Sequence, residues 1–453
     1  MLSRARHPLF VLAAAAGLTI PWMVVWWTGP PSTLSPLPTV AVAGLAILGA
    51  SFLLAWGAEI AEKDVPRAFA IAVLAVLAVA PEYAVDALYA WQAGTGGATT
   101  EACATAATSG IARACHDANL AVANMTGANR ILIGIGWAGI ALFSIYRSVA
   151  HTDESIEHRS GVLADVVHLD RNISVEIGFL LAATIVAFFV PLDGGIGLVD
   201  TIVLVGLYVV YIAIAISGEV EEVGEQVGVP AYFHARPRSV RVPTAIVLFL
   251  YSGVLIYLAV HPFAHGLEVL GQNLGLPPFF MIQWIAPLAS ESPELIVVVY
   301  LVNKARTTAG FNALISSKLN QWTLLIGTLA IVYSLGLGQF GTLPFEPKQA
   351  AEIWITAAQS FFAIAVLVNF TISGREAVLL LGLFVSQVAA EFALIQLLPA
   401  ARAEALSVTM LDAYAALYVV LGLALFAQRR AAIRDVVADS RSALRRAVRY
   451  YIG

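Results

Sequence analysis

Twelve stretches of this chain are each about 20 residues long, apolar on all sides and nearly free of charge. No other feature restricts its fold as much. They are 8–29, 39–61, 67–91, 119–145, 173–191, 198–217, 242–268, 278–302, 309–336, 350–371, 376–398 and 406–427. A helix needs about 20 such residues to cross the hydrocarbon of a bilayer. A membrane barrel would instead need segments of about 10 residues alternating with period two. Runs such as AIAVLAVLAVA (70–80) and AIAVLVNF (363–370) do not alternate, so the spans read as helices. Composition agrees, since 59% of the 453 residues are hydrophobic and only 12% are charged, against about 25% charged in a soluble domain. The chain reads as an all-α polytopic membrane protein with about 12 transmembrane helices.

Basic residues orient the spans, because Lys and Arg concentrate in cytoplasmic loops. With the N-terminus inside, twenty of the 25 Lys and Arg fall on the inner side. They include Arg4, Lys63, Arg147, Arg171, Arg236, Arg238, Arg241, Lys304, Arg306, Arg375 and the group from Arg429 to Arg449. Arg113, Lys348 and Arg402 fall outside, while Arg130 and Lys318 lie inside spans. Both termini are therefore expected in the cytoplasm and the chain in an inner or plasma membrane. Arg4 and Arg6 precede the apolar stretch 9–27 as they would in a signal peptide, but no small-residue cleavage site follows, so a retained helix is expected. The loop 92–118 then lies outside and holds Cys103 and Cys115, either as a disulfide or as a reduced pair. Two cysteines exclude a disulfide scaffold and a Cys-cluster metal site. The tail 428–453 has apolar residues at helical spacing (Ile433, Val436, Val437, Leu444, Val448) among basic ones. It is expected on the inner membrane surface, the alternative being a floppy charged tail. No polybasic tract suggests nucleic acid, and nothing indicates a homo-oligomer. HExxH, GxSxG and a Cys/His pair at catalytic spacing are all missing, so neither an enzyme nor a cofactor is expected.

Within this frame the chain repeats itself. One block reads GAEI (57–60), APEYAVDALYAW (80–91) and NMTGANRILIGIG (124–136); the other reads GLEV (266–269), SPELIVVVYLV (292–302) and FNALISSKLNQWTLLIGTL (311–329). Each has Gly-x-Glu near one helix end, Pro-Glu in the next helix, and an Asn-bearing segment before a Leu-Ile-Gly in the third. The first block's linking loop falls outside and the second's inside, so the units are inverted. The organisation expected is an extra N-terminal helix in 1–38, a first five-helix repeat 39–217, a cytoplasmic linker 218–241, and a second repeat 242–398. An extra helix in 399–427 and the basic tail 428–453 complete it. Inverted repeats with interrupted helices point to a secondary transporter.

The chemistry lies in the Pro-Glu helices. Proline removes a backbone hydrogen bond and frees carbonyls. A carboxylate beside it costs about 2.5–3.5 kcal/mol at the centre of a span on insertion scales. Pro81-Glu82 and Pro293-Glu294 thus join freed carbonyl oxygens to an anionic oxygen, the ligand type that hard cations take. Asn129 and Asn320 can add amide oxygens; Thr126, Ser316 and Ser317 can add hydroxyls.

These residues resemble the alpha repeats of the cation/calcium exchanger superfamily, which includes sodium/calcium and proton/calcium exchangers. The resemblance covers roughly 39–398. It implies that Glu82 and Glu294 are the central cation-binding glutamates, and that Asn129 and Asn320 close the two ligand segments. Met125 and Ser316 stand at the serine position of the family's motif. It implies a secondary active cation antiporter with alternating access around a midplane site built by the two Pro-Glu helices. Inorganic cations (Ca2+, Na+ or H+) would be its partners and the lipid bilayer its setting. The sequence departs from the pattern in several places. Many calcium-transporting relatives carry an Asp where Asn320 stands and a Thr-Ser pair before each Pro-Glu, where this chain has Ala78-Val79 and Ser290-Glu291. Arg130 follows Asn129, and Lys318 lies two residues before Asn320. As charge partners or proton-coupling groups they are expected to pair with Glu82, Asp86, Glu291 or Glu294. They favour the alternative, a monovalent cation/proton antiporter on the same fold.

Asp86, one turn beyond Glu82, and Glu291, three residues before Glu294, complete two pairs of acids. Paired buried carboxylates raise one pKa, which suits a proton carrier. Glu59 and Glu268 lie nearer helix ends, where supporting or interfacial roles are expected. Glu391 and Gln359 are expected in structural hydrogen bonds. His261 and His265 lie near an outer span end.

Overall fold

The computed structural model describes residues 7–29, 34–64, 80–149, 153–217 and 228–452. Ala78, Val79 and much of the expected span 67–91 lie outside the described residues. The helices are α1 (Pro8–Thr28), α2 (Pro36–Glu62), α3 (Ala80–Thr95), α4 (Thr100–Thr105), α5 (Ser109–Ser148), α6 (Ser174–Ala187), α7 (Leu198–Ser217) and α8 (Gly228–His234). They continue with α9 (Arg238–Asn273), α10 (Pro278–Asn303), α11 (Thr307–Leu337), α12 (Pro347–Leu367), α13 (Gly374–Leu397), α14 (Ala400–Gln428) and α15 (Arg430–Ile452). Among the described residues ten helices are long and apolar enough to cross a membrane, and the bent α10, taken as one span, makes an eleventh.

Helix ends follow the local chemistry. The Thr108 hydroxyl accepts from the Ile111 amide and starts α5 ten residues before the expected 119. The expected loop 92–118 is therefore largely helical, and a Cys103–Cys115 disulfide ties α4 to the start of α5. Ser373 and Glu376 form a reciprocal capping box on α13. Short strands lie between the helices: β1 (Ile156–Glu157), β2 (Val166–His168) and β5 (Thr371–Ser373) form an antiparallel sheet, and β3 (Gly195–Ile196) pairs with β4 (Leu343–Pro344).

The chain divides into two compact units, residues 1–88 with 212–293 and residues 89–211 with 294–453. In the first unit α2 packs against α1 and α9 around Leu53, Trp56, Ile60, Phe233, Ala245 and Leu248. Gly49 lets α1 approach, since a Cβ there would stand 2.5 Å from the Ala15 carbonyl oxygen. In the second unit α12 is covered almost all round, so that its polar residues Glu352 and Gln359 are enclosed along with its apolar ones. Its neighbours are α5, α6 and α14.

The tail is the ordered helix α15, not a floppy segment. Val436, Ala443 and Ala447 are buried at helical spacing against α6, Asp439 accepts from the Ser174 hydroxyl at 2.9 Å, and Asp435 pairs with Arg171 at 3.2 Å.

Two helices are interrupted. Both α5 and α11 widen to i→i+5 hydrogen bonding, over Leu132–Trp137 and Gln321–Leu325, just after the Asn-bearing segments. Such one-turn insertions in a helix cluster at functional sites. Gly134 lies in the first, where a Cβ would come 2.3 Å from the Phe384 ring.

Candidate cation site

In the first unit the expected acids are buried. Glu82 and Asp86 share a face of α3 one turn apart, and Glu291 on α10 and Glu268 on α9 are equally enclosed. The Ser290 hydroxyl turns back to the Pro287 carbonyl at 3.3 Å. Glu59 sits near the C-terminal end of α2, where its carbonyl meets the His234 ring at 2.9 Å. Just beyond, Arg241 holds Asp64 through two 2.6 Å contacts and keeps its carboxyl below the usual carboxylate range. A structural joint at that helix end accounts for these contacts.

The second unit holds both Asn segments. Asn129 is buried, and its Nδ2 donates to the Met125 carbonyl at 2.9 Å. This back-bond turns the amide oxygen away from its own helix. Lys318, fully buried on α11, donates from Nζ to Asn129 Oδ1 at 3.1 Å and to the Asn129 carbonyl oxygen at 3.3 Å. The ammonium also lies 5.0 Å from the Trp322 ring centre, within cation–π range. Asn320 and Ser317 are buried on the same segment, and Ser317 Oγ has no hydrogen-bond partner among the described residues. Ser316 is half-buried and meets the Tyr211 phenol, which donates to Glu176 at 3.3 Å. Glu294 is half-buried at the start of this unit's share of α10.

Arg130 pairs with an acid other than those expected. It is 1% exposed, with Nη2 2.7 Å from Glu352 Oε2 and Nη1 donating to Gln387 Oε1 at 3.2 Å. Glu352 is outside the four acids expected as its partners. The reason is geometric: Arg130 is about 100° round the helix from Asn129, so its side chain runs toward α12 and α13. Gln387 Nε2 donates to Glu391 Oε2 at 3.4 Å, and Glu391 Oε1 receives Ser407 Oγ at 3.3 Å and Lys348 Nζ at 3.1 Å. Glu391 is thus in an ion pair as well as in hydrogen bonds. Lys348, expected in an outer loop, lies on α12 with its side chain 13% exposed. Both amide atoms of buried Gln359 lack a hydrogen-bond partner among the described residues, contrary to the expected structural bond.

Glu352 and Gln387 are the residues that pattern reading missed. A signal was present: Lys348/Glu352, at the start of the span 350–371, and Gln387/Glu391, inside 376–398, are polar pairs at i,i+4, which puts each pair on one helix face. Among the described residues no three of His, Cys, Asp and Glu gather as metal ligands. Of the oxygens expected as ligands, the second unit carries the Asn129 and Asn320 amides, the Ser316 and Ser317 hydroxyls and the Glu294 carboxylate.

The sequence profile of the sodium/calcium exchanger protein family matches residues 36–217 and 244–393. A crystal structure of an H+/Ca2+ exchanger, CAX, superposes with a TM-score of 0.81 at 39% identity, covering 96% of this chain and 98% of that one. The structure of native YfkE is similar in fold alone, with a TM-score of 0.54 at 15% identity over 84% of this chain and 98% of its own. A sodium-calcium exchanger, NCX_Mj, aligns at 16% identity and a TM-score of 0.47 over 78% of this chain and 98% of that chain. No curated protein sequence matches the chain. This chain belongs to the sodium/calcium exchanger protein family, whose members are membrane ion exchangers.

Proposed function

We propose that the protein is a secondary active cation antiporter that works by alternating access, with Glu82 and Glu294 as the carboxylates that bind the transported ion. Asn129, Asn320, Ser316 and Ser317 supply neutral oxygens. Asp86 and Glu291 are the second acids of each pair and the candidates for carrying a proton. One observation carries the reading: the Lys318 ammonium sits 3.1 Å from Asn129 Oδ1 and 3.3 Å from the Asn129 carbonyl. The oxygens assigned to a cation already hold one, tethered to the chain. They are buried, and the Asn129 amide is oriented by its own back-bond. Lys318 then acts as a resident positive charge in the ligand shell, which lowers the number of mobile charges the site takes.

Exchange of Ca2+ for H+ is the favoured pairing, supported by the 39% identity to a protein described as an H+/Ca2+ exchanger. A monovalent cation/proton antiporter is the second reading. It is supported by Asn320, where many calcium-transporting relatives carry an Asp, and by the position of Lys318. Both termini are placed in the cytoplasm of an inner or plasma membrane by the distribution of basic residues alone.

Purified protein in sealed vesicles tests the proposal. Imposed H+ and Na+ gradients should each be tried as the driver of Ca2+ flux, and a H+ gradient as the driver of Na+ flux. Glu82→Gln and Glu294→Gln should each abolish the flux found with the unchanged chain. Flux that survives both substitutions would remove these residues from the site. H+-driven Na+ flux without Ca2+ flux would select the second reading.

A further inference from the structure

Asn129 and Arg130 are consecutive, about 3.8 Å apart at Cα, and both are 1% exposed. A fixed positive charge so close to oxygens that take a cation would repel it, because the buried surroundings screen charge far less than water does. The fold answers this with a network that transport as proposed above does not use. Arg130 meets Glu352 and Gln387, Gln387 meets Glu391, and Glu391 meets Lys348 and Ser407. Two positive and two negative side chains from α5, α12 and α13 are joined, with a hydroxyl from α14. The network is no proton wire, because a guanidinium does not give up its proton in a protein. What it does is hold charge in place.

We propose that Glu352 is the counter-charge that lets the Asn129 segment accept a cation. Its carboxylate neutralises Arg130 and draws the guanidinium toward α12, away from the Asn129 oxygens that Lys318 occupies. Gln387 fixes the other arm of the guanidinium, and the Lys348–Glu391 pair anchors Gln387. Glu352 is therefore a positioning residue that sets cation affinity through Arg130 without touching the ion. The inference rests on the assignment of Asn129 to the cation site.

The test measures cation flux in reconstituted vesicles against external cation concentration. Glu352→Gln keeps the shape and removes the charge; it should raise KM for the transported cation about tenfold and leave kcat within about twofold. Removing both charges in Arg130→Met/Glu352→Gln should return KM to within about twofold of the unchanged protein. A merely structural pair would lower the melting temperature in Glu352→Gln and restore it in the double variant, with KM unchanged in both. Should Glu352→Gln fail to fold, the double variant decides: KM near the unchanged value supports the proposal, and a tenfold rise overturns it. Glu352→Gln with unchanged KM, or no recovery in the double variant, also overturns it. An Asn129→Ala protein with unchanged KM would reject the site assignment itself, and the counter-charge with it. That outcome is distinct from normal flux and a raised KM in Asn129→Ala joined to an indifferent Glu352→Gln, which rejects the counter-charge alone.

Discussion

The two Asn-bearing segments place a basic residue differently, and the geometry turns that small difference into two separate roles. In α5 the base comes one residue after the Asn; in α11 it comes two residues before. Each helix then widens into an i→i+5 turn. Arg130 swings off its Asn by about 100° and ends in an ion pair with Glu352. Lys318 reaches across to the other segment and rests on the Asn129 oxygens. The chemistry suits the outcomes. A planar guanidinium offers a fork to a carboxylate and an amide at once, whereas an ammonium is a compact point charge that can stand where an ion would. A base beside an Asn segment is thus either carried away from the Asn oxygens or laid against them, and the residue offset decides which.

The largest expected effect breaks the first half of this comparison. Arg130→Met leaves Glu352 buried without its partner and should cost about 3–5 kcal/mol, read as a loss of thermal stability in detergent. Arg130→Met/Glu352→Leu should recover most of it. A single substitution with an unchanged melting temperature would mean the pair is not what holds α5 to α12.

Next comes the packing of the widened turn. Gly134→Ala puts a Cβ 2.3 Å from the Phe384 ring, while Gly139→Ala meets nothing within 4 Å. The first should cost about 1–3 kcal/mol, and the second should leave the melting temperature unchanged or slightly raised. Equal melting temperatures would show that the first widened turn does not depend on close contact with α13.

Lys318→Met sharpens the second half. It uncovers Asn129 Oδ1 and should raise apparent cation affinity about tenfold, a change of about 1.4 kcal/mol, with altered ion selectivity. Unchanged selectivity and pH dependence in vesicle flux would deny Lys318 a place in the ligand shell.

The smallest effect contrasts these enclosed charges with exposed ones. Glu157, on β1, is held by Arg159 at 2.7 Å and His168 at 2.9 Å, which together lower its carboxyl to about 2. A carboxylate whose pKa falls on folding adds stability above the unfolded value of 4.5. That stability fades as pH drops from 4.5 toward 2. Because the group is exposed, solvent screens it, and Arg159→Ala should shift the acid limb of unfolding less than any substitution above. A large shift would mean that the small sheet matters more to the second unit than its exposed charges imply.

Much of this was legible beforehand. The spans followed from run length, because lipid leaves the backbone few ways to satisfy itself. The paired segments followed from matched Pro-Glu and Asn positions. The start of α5 at Ser109 was missed because the polar loop residues between Cys115 and Asn119 carry no apolar signal, yet they extend a helix that Thr108 caps. The charge network was missed for another reason: Glu352 lies 222 residues from Arg130 in the chain, and no local pattern connects them.

Run length settled that this is a helical membrane protein, and the doubled motif pointed to a transporter and nominated its acids, since those properties depend on residue type and near neighbours along the chain. Which partner each buried charge takes, Glu352 for Arg130 and Asn129 for Lys318, was settled by folding. An ion pair depends on distance in space, and only packed helices bring side chains so far apart in sequence to within 3 Å or so.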